Sequence, residues 1–297
     1  MQAGYTIRTA AISVVVGLLV LAIKTFAYYL TGSIALYSDA LESIVNVATA
    51  AAALVAVRLS ARPADATLPY GYHKVEYFSA VLIGALIVIA AVSIFREAYL
   101  GIRDPKPLDI PLEGLAVNGL ATVINACWCW VLFREARRSH SPALAADGKH
   151  LLTDVLSSTG VLAGVAAAVA TGIDILDPVL AALVALNILW SGWGLIKESV
   201  GGLMDVSVPA GRLARIRELI AANAEGAIEA HDIRTRQAGR MTFIDFHLVV
   251  PGQMRVDDAH AICDRIEQRL KDEVEHCLIT IHVEPENKAK HSGIVVL

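Results

Sequence analysis

Over its first two hundred residues the chain alternates long apolar runs with short polar breaks, and then the period changes. Six apolar stretches lie at about 7–30, 34–58, 76–100, 112–135, 144–171 and 177–200. Each is long enough for a helix to cross a hydrocarbon core of about 30 Å, which takes roughly 20 residues. The breaks hold turn formers: Thr31-Gly32-Ser33, the loop with Pro63, Pro69 and Gly71, Asp104-Pro105-Lys106-Pro107, Ser141-Pro142, and Thr171-Gly172 to Pro178. After residue 205 the pattern shortens. Residues 209–224 have helical spacing after Pro209, and 256–273 form a second, amphipathic helix. Residues 228–237 and 241–250 alternate as strands joined at Ala238-Gly239-Arg240, and "CLITIHVEP" is a last strand. The expected fold is an α-helical membrane protein: a six-helix bundle over 1–205, an α-β-β-α-β domain of the α+β class over 206–286, and a flexible tail at 287–297.

Basic residues orient the bundle. Arg8, then Arg58, Arg62 and Lys74, then Arg134, Arg137, Arg138 and Lys149, then Lys197 share one side. The opposite side has Arg103 and Lys106, with Arg96 near it, and no Lys or Arg around Gly32 or Asp174. The positive-inside rule puts both termini in the cytoplasm. Trp128, Trp130, Trp190 and Trp193 fall towards the cytoplasmic ends of helices four and six, where they can anchor at the interface or pack between helices. The first run is too long for a signal peptide and stays as a helix. Composition agrees: 56% of the 297 residues are hydrophobic and 18% charged, where a soluble domain has about a quarter charged. The net charge of -4 says nothing about nucleic acid, but no basic cluster is dense enough for a phosphate backbone, so no nucleic-acid partner is expected. The four cysteines, Cys127, Cys129, Cys263 and Cys277, form no C-x-x-C pair and read as packing residues.

Polar groups inside these helices need a reason, because a charge at the bilayer centre costs roughly 2.5–3.5 kcal/mol. Helix two carries Glu42 and Asn46, and helix five carries His150 and Asp154, each pair at i, i+4 on one face. Asp39 precedes Glu42 by three residues, as Asp147 precedes His150, so one polar pattern occurs twice. Counted from opposite ends at about 1.5 Å per residue, both pairs reach mid-membrane. Two carboxylates, an amide oxygen and an imidazole make a mixed oxygen/nitrogen set suited to a divalent first-row ion such as Zn²⁺. The competing reading is a hydrogen-bonded helix clamp. Asp39 and Asp147 could line an access path, bridge helices or sit near a helix end. Lys24, near the outer end of helix one, is expected to snorkel.

A second group lies in the C-terminal domain. His282 and Glu284 sit at i, i+2 on one strand face, His247 is on another strand, His231 opens the first, and His260 is on the second helix. Five possible ligands in one small domain favour a metal site. No nucleophile or Gly-rich phosphate loop supports catalysis, so an enzyme is not expected.

These residues resemble the cation diffusion facilitator family over nearly the whole chain. "ADGKHLLTD" is similar to that family's helix-five motif, "GSIALYSDALESIVN" to its helix-two motif, and "PYGYHKVEYFSA" to its loop and third helix. "HDIRTRQAGRMTFIDFHLVV", "AHAICDRIE" and "IHVEP" resemble its cytoplasmic, ferredoxin-like domain. The resemblance implies a homodimeric antiporter in a bacterial inner membrane, exporting divalent metal in exchange for protons. It implies a transport site at Glu42, Asn46, His150 and Asp154, and a cytoplasmic dimerisation site at His231, His247, His260, His282 and Glu284. It also implies a charge interlock through Lys74 and Asp205. One departure is Asn46, a neutral oxygen where zinc members commonly have a second charged or imidazole ligand. Zinc is the first expectation, with Fe²⁺ or Mn²⁺ open. Leu68 and Tyr72 stand where the family often has loop ligands, so no third site is expected there. A metal channel and a membrane-anchored metal sensor are the rival readings.

Overall fold

The computed structural model describes residues 2–31, 34–103, 112–171, 175–290 and 294–295, without the side chains of some helical positions, among them 34–42 and 164–170. The chain divides into two compact units, Met1–Val200 and Gly201–Leu297.

Six long helices build the first unit: α1 (Gln2–Thr31), α2 (Ile34–Ser60), α3 (Val75–Arg103), α4 (Leu112–Ser139), α5 (Pro142–Thr171) and α6 (Leu176–Leu203), whose last turn falls in the second unit. Among the described residues four segments are long and apolar enough to cross a membrane: Gly4–Phe26, Ser43–Ser60, Val75–Arg103 and Pro178–Leu203. Arg134, Glu135, Arg137 and Arg138 lie near the end of α4, and Asp147, Lys149, His150 and Asp154 lie in the first half of α5. Leu18, Leu19, Ile89, Val92, Leu183 and Leu186 are exposed on α1, α3 and α6. Apolar side chains facing outward on a helical bundle are what lipid requires.

The bundle interior is rich in small residues. Ala10, Ala53, Ala56, Ala80, Ala91, Ala143 and Ala146 join Ile83, Ile87, Leu132, Leu144 and Ile188 in one buried cluster. Small side chains let backbones approach and gain dispersion contact where no hydrophobic force drives association. The approach of α3 and α6 is closest at glycine: a Cβ on Gly84 would lie 2.8 Å from Ile196 Cγ1, and one on Gly192 would lie 2.9 Å from Ile87 Cγ2. α5 starts with Ser141 as its N-cap, the Oγ accepting from the Leu144 N–H at 3.3 Å, and Pro142 as its first residue. Ser60 at the end of α2 and Ser141 both donate to the buried Glu76 carboxylate, so α3 is tied to α2 and α5. Lys24 does not snorkel: it is 3% exposed and engaged within the protein.

In the second unit α7 (Ala210–Asn223), β1 (Glu229–Ala238), β2 (Met241–Val250), α8 (Val256–Glu273) and β3 (Cys277–Pro285) follow the expected order. The tail departs from it. A short 3₁₀ turn at Glu286–Lys288 leads to β4 (Ile294–Val295), which pairs antiparallel with β1 where a loose end was expected. Backbone groups on the free edge of β1 gain partners this way. The sheet order is β3-β2-β1-β4, with β1 and β2 antiparallel and β2 and β3 parallel. Gly239, at φ 55, makes the two-residue turn between β1 and β2. Ile244, Phe246 and Leu248 of β2 pack with Ile216 and Ile220 of α7 and Ile266 and Leu270 of α8. Alternation therefore sends His247 to the face away from the helices.

Candidate metal centres

α2 and α5 bring three of the four expected transport ligands together. The Asn46 amide nitrogen donates to the Asp154 carboxylate, and its oxygen lies 2.9 Å from His150 Nε2. An amide oxygen only accepts, so Nε2 carries the ring proton in this arrangement and Nδ1 holds the lone pair. All three side chains are at most 6% exposed. Among the described residues His150 Nδ1 has no hydrogen-bond partner. An amide whose two ends engage an imidazole and a carboxylate fills the place a cation would take between the same groups. Glu42 and Asp39 lie on α2, and their side chains fall outside the described residues.

Asp147 is also buried, but it faces α1. Its carboxylate accepts from Ser13 Oγ at 2.6 Å. A narrow cavity between α1, α2, α4 and α5 is lined by Ser13, Asn46, Asn125, Asp147 and His150. It is small and suits a single small occupant.

The second centre is built by strand register. His231 on β1 is the cross-strand partner of His247 on β2, and His247 is the partner of His282 on β3. Three histidines thus stand in a rank on the face away from the helices. Ring centroids are 5.3 Å apart for His231 and His247 and 5.0 Å for His247 and His282. Glu284 joins them: its carboxylate is 3.3 Å from His231 Nε2, 3.3 Å from His247 Nδ1 and 3.7 Å from His282 Nε2. These approaches are not aligned as hydrogen bonds, and both nitrogens of buried His231 and the Nδ1 of His247 remain unpartnered. Lone pairs facing one another around a carboxylate fit a borderline-soft divalent ion such as Zn²⁺. His260 stays apart within the protomer, on α8, largely exposed and 3.6 Å from Asp264.

Two neighbours escaped the sequence reading. Glu229, buried, has its carboxylate 3.3 Å from His231 Nδ1. It sits two positions before His231, so strand alternation could have found it. Asp232 has a carboxylate oxygen within 4.8 Å of a ring nitrogen of His231 and of His247. Adjacent residues of a regular strand face opposite ways, but the register shifts after His231 and Asp232 adopts φ 51. Nothing in residue order signals that. Lys290 donates to the Asp232 carboxylate at 2.6 Å and holds it below the usual carboxylate range, so it is ionised at neutral pH. Of the interlock pair, Lys74 belongs to the first unit, and Asp205, at φ 60, is 3.4 Å from Arg236 within the second. In the 61–74 loop, Asp65 accepts from the Tyr72 hydroxyl and from the Thr67 and Leu68 N–H groups.

Comparison with known proteins adds the following. Residues 10–204 match the cation efflux transmembrane domain, and residues 208–286 match the cytoplasmic domain of cation efflux proteins. An uncharacterized transporter of Synechocystis sp. is 41% identical over 276 residues, covering 93% of this chain and 89% of that one. The cation-efflux pump FieF of Cronobacter sakazakii is 29% identical over 278 residues, covering 94% and 92%. Among solved structures, the metal-bound C-terminal domain of the CzcD transporter from Thermotoga maritima is 24% identical, covering 28% of this chain and 100% of that one, with a TM-score of 0.25.

Proposed function

Because the chain belongs to the cation diffusion facilitator family of integral membrane cation efflux transporters, we propose that it exports zinc in exchange for protons. In this reading it works as a homodimer in a bacterial inner membrane, with both termini in the cytoplasm. The observation that carries it is the meeting of Asn46, His150 and Asp154 inside the bundle. A cation reaching this set from the cytoplasm displaces the amide bridge and takes Glu42, Asn46, His150 and Asp154 as ligands. Ligation needs a neutral imidazole and ionised carboxylates, so binding releases protons. Rocking of the helices then turns the loaded set outward, as in alternating access. Protons from that side compete for His150 and the carboxylates, and the cation leaves.

His231, His247, His282 and Glu284 would hold a resident zinc in the C-terminal unit, with Asp232 and Glu229 beside them. Such an ion would neutralise the clustered carboxylates and fix three strands to one another, and it would favour dimerisation. The Asn46 amide supports a second reading of the cargo. A neutral, hard oxygen in place of a charged ligand suits Fe²⁺ or Mn²⁺ better than a set of four soft or charged groups would. Metal uptake into proteoliposomes by the His150→Ala variant tests the site. The expected result is loss of uptake for every ion. Uptake at the parent rate would overturn the assignment.

A further inference from the structure

The proposed transport set leaves one feature of the bundle unused. His150 spends Nε2 on Asn46, and its other nitrogen, Nδ1, is buried without a partner among the described residues. The ring is 4% exposed and lines the cavity between α1, α2, α4 and α5. The same cavity is lined by Asp147, whose carboxylate is 4% exposed and held by Ser13 at 2.6 Å, and by the amide of Asn125. Asp147 precedes His150 by three residues on α5, so both side chains lie on one face about a turn apart. The donor set of this chamber is a carboxylate, a hydroxyl, an amide and an imidazole lone pair. The tautomer imposed by Asn46 places that lone pair on Nδ1 rather than on Nε2, the nitrogen that faces the Asn46 oxygen.

We infer that Asp147, Ser13 and His150 Nδ1 form a second station for a divalent cation, one turn along α5 from the transport set and on the side of the helix N-terminus. The inference rests on the transporter reading, and it deepens that reading by assigning Asp147 as a cation ligand on the path. A neutral imidazole offers one lone pair, so the station and the transport set cannot both use His150 at once. Occupancy alternates, and a cation on Nδ1 reaches the set when the ring presents Nε2 instead. Asn46 thereby acts as a gate: while its oxygen accepts from Nε2–H, the station is the metal-ready position.

The test uses the full chain in lipid nanodiscs, with the C-terminal centre removed by His231→Ala and His247→Ala, and zinc as the probe. Bound zinc is counted by equilibrium dialysis after Asp154→Asn, which takes the carboxylate from the transport set, and after Asp154→Asn with Asp147→Asn. The first protein is expected to keep a zinc ion that the second loses. Asn at 147 keeps the shape of Asp and can still accept from Ser13, so the comparison does not depend on a cavity. Ser13→Ala on the Asp154→Asn background is expected to weaken zinc by about tenfold, the usual cost of removing a group that orients a ligand. Zinc already lost with Asp154→Asn alone, or retained through both Asp147→Asn and Ser13→Ala, refutes the station. Transport is measured on the same Asp154→Asn protein with its C-terminal centre intact. Abolished transport leaves the zinc count to decide on the station alone. Surviving transport overturns the transport set and the station with it.

Discussion

Replacing Asn46 separates a metal site from a helix clamp, because only a metal site makes the stabilisation gained from zinc depend on this residue. Its amide makes two hydrogen bonds inside the bundle, one to the Asp154 carboxylate and one from His150 Nε2. A hydrogen bond to a charged group contributes about 1.5–3 kcal/mol and a neutral one about 0.5–1.5. Asn46→Ala should therefore cost the metal-free protein about 2–4.5 kcal/mol, and it also removes a ligand, so the stabilisation gained from zinc should shrink. Asn46→Asp destabilises the metal-free protein for another reason. It sets a second carboxylate against Asp154 with no donor between them. Two like charges about 4 Å apart repel by about 4 kcal/mol at an effective dielectric of about 20. A divalent cation relieves that repulsion, so zinc should stabilise Asn46→Asp more than it stabilises the parent. Thermal unfolding in detergent, with and without zinc, reads both quantities. A zinc increment equal in the parent, Asn46→Ala and Asn46→Asp would refute metal binding at this set and leave only the clamp.

Three further outcomes are expected. His231→Ala should remove most of the zinc-dependent stabilisation of the C-terminal unit, and His260→Ala should remove less, since His260 lies apart from the rank of histidines in the protomer; equal losses in unfolding experiments would contradict this order. Gly192→Val should lower the unfolding temperature of the bundle by an overpacking cost of about 1–3 kcal/mol, because even a Cβ would meet Ile87 and Val88 at 2.9 and 3.1 Å; an unchanged midpoint would refute the close approach of α3 and α6. The hydrogen bonds from Tyr72 and from the Leu68 and Thr67 amides hold the Asp65 carboxyl below its usual range. A lowered folded value means that the loop gains stability above the unfolded value near about 4 and loses it as pH falls through the folded one. Hydrogen exchange at Thr67 and Leu68 should show protection at neutral pH that disappears in acid and is absent throughout in Asp65→Ala, which has no side-chain acceptor.

Period and length made much of this architecture legible from residue order. The apolar runs set α1 to α6, and alternation set β2 at Met241–Val250, with Ile244, Phe246 and Leu248 on one face and Asp245 and His247 on the other. The i, i+4 spacing placed His150 and Asp154 on one face of α5, and the structure adds that Asn46 bridges them. Features that depend on partners far along the chain stayed hidden. Glu76 reads in sequence as an ordinary charge at a helix start, yet it is buried and receives Ser60 and Ser141 from two other helices. Asp232 reaches the histidine rank only because the backbone turns at φ 51 within a strand. β4 was missed because a two-residue strand has no period to detect; it exists through pairing with Glu229 and Ala230. Lys24 looked like a snorkelling residue from its position near a helix end, but its burial is set by tertiary packing.

The central claim is proton-coupled export of a divalent cation. Metal uptake into proteoliposomes, with the pH gradient imposed or collapsed and zinc, Fe²⁺ and Mn²⁺ offered separately, addresses it most directly. The account predicts uptake that follows the gradient, is fastest for zinc and is lost in His150→Ala. Uptake indifferent to the gradient would contradict exchange and point to a channel, and no uptake of any ion would return the chain to the role of a membrane-anchored metal sensor.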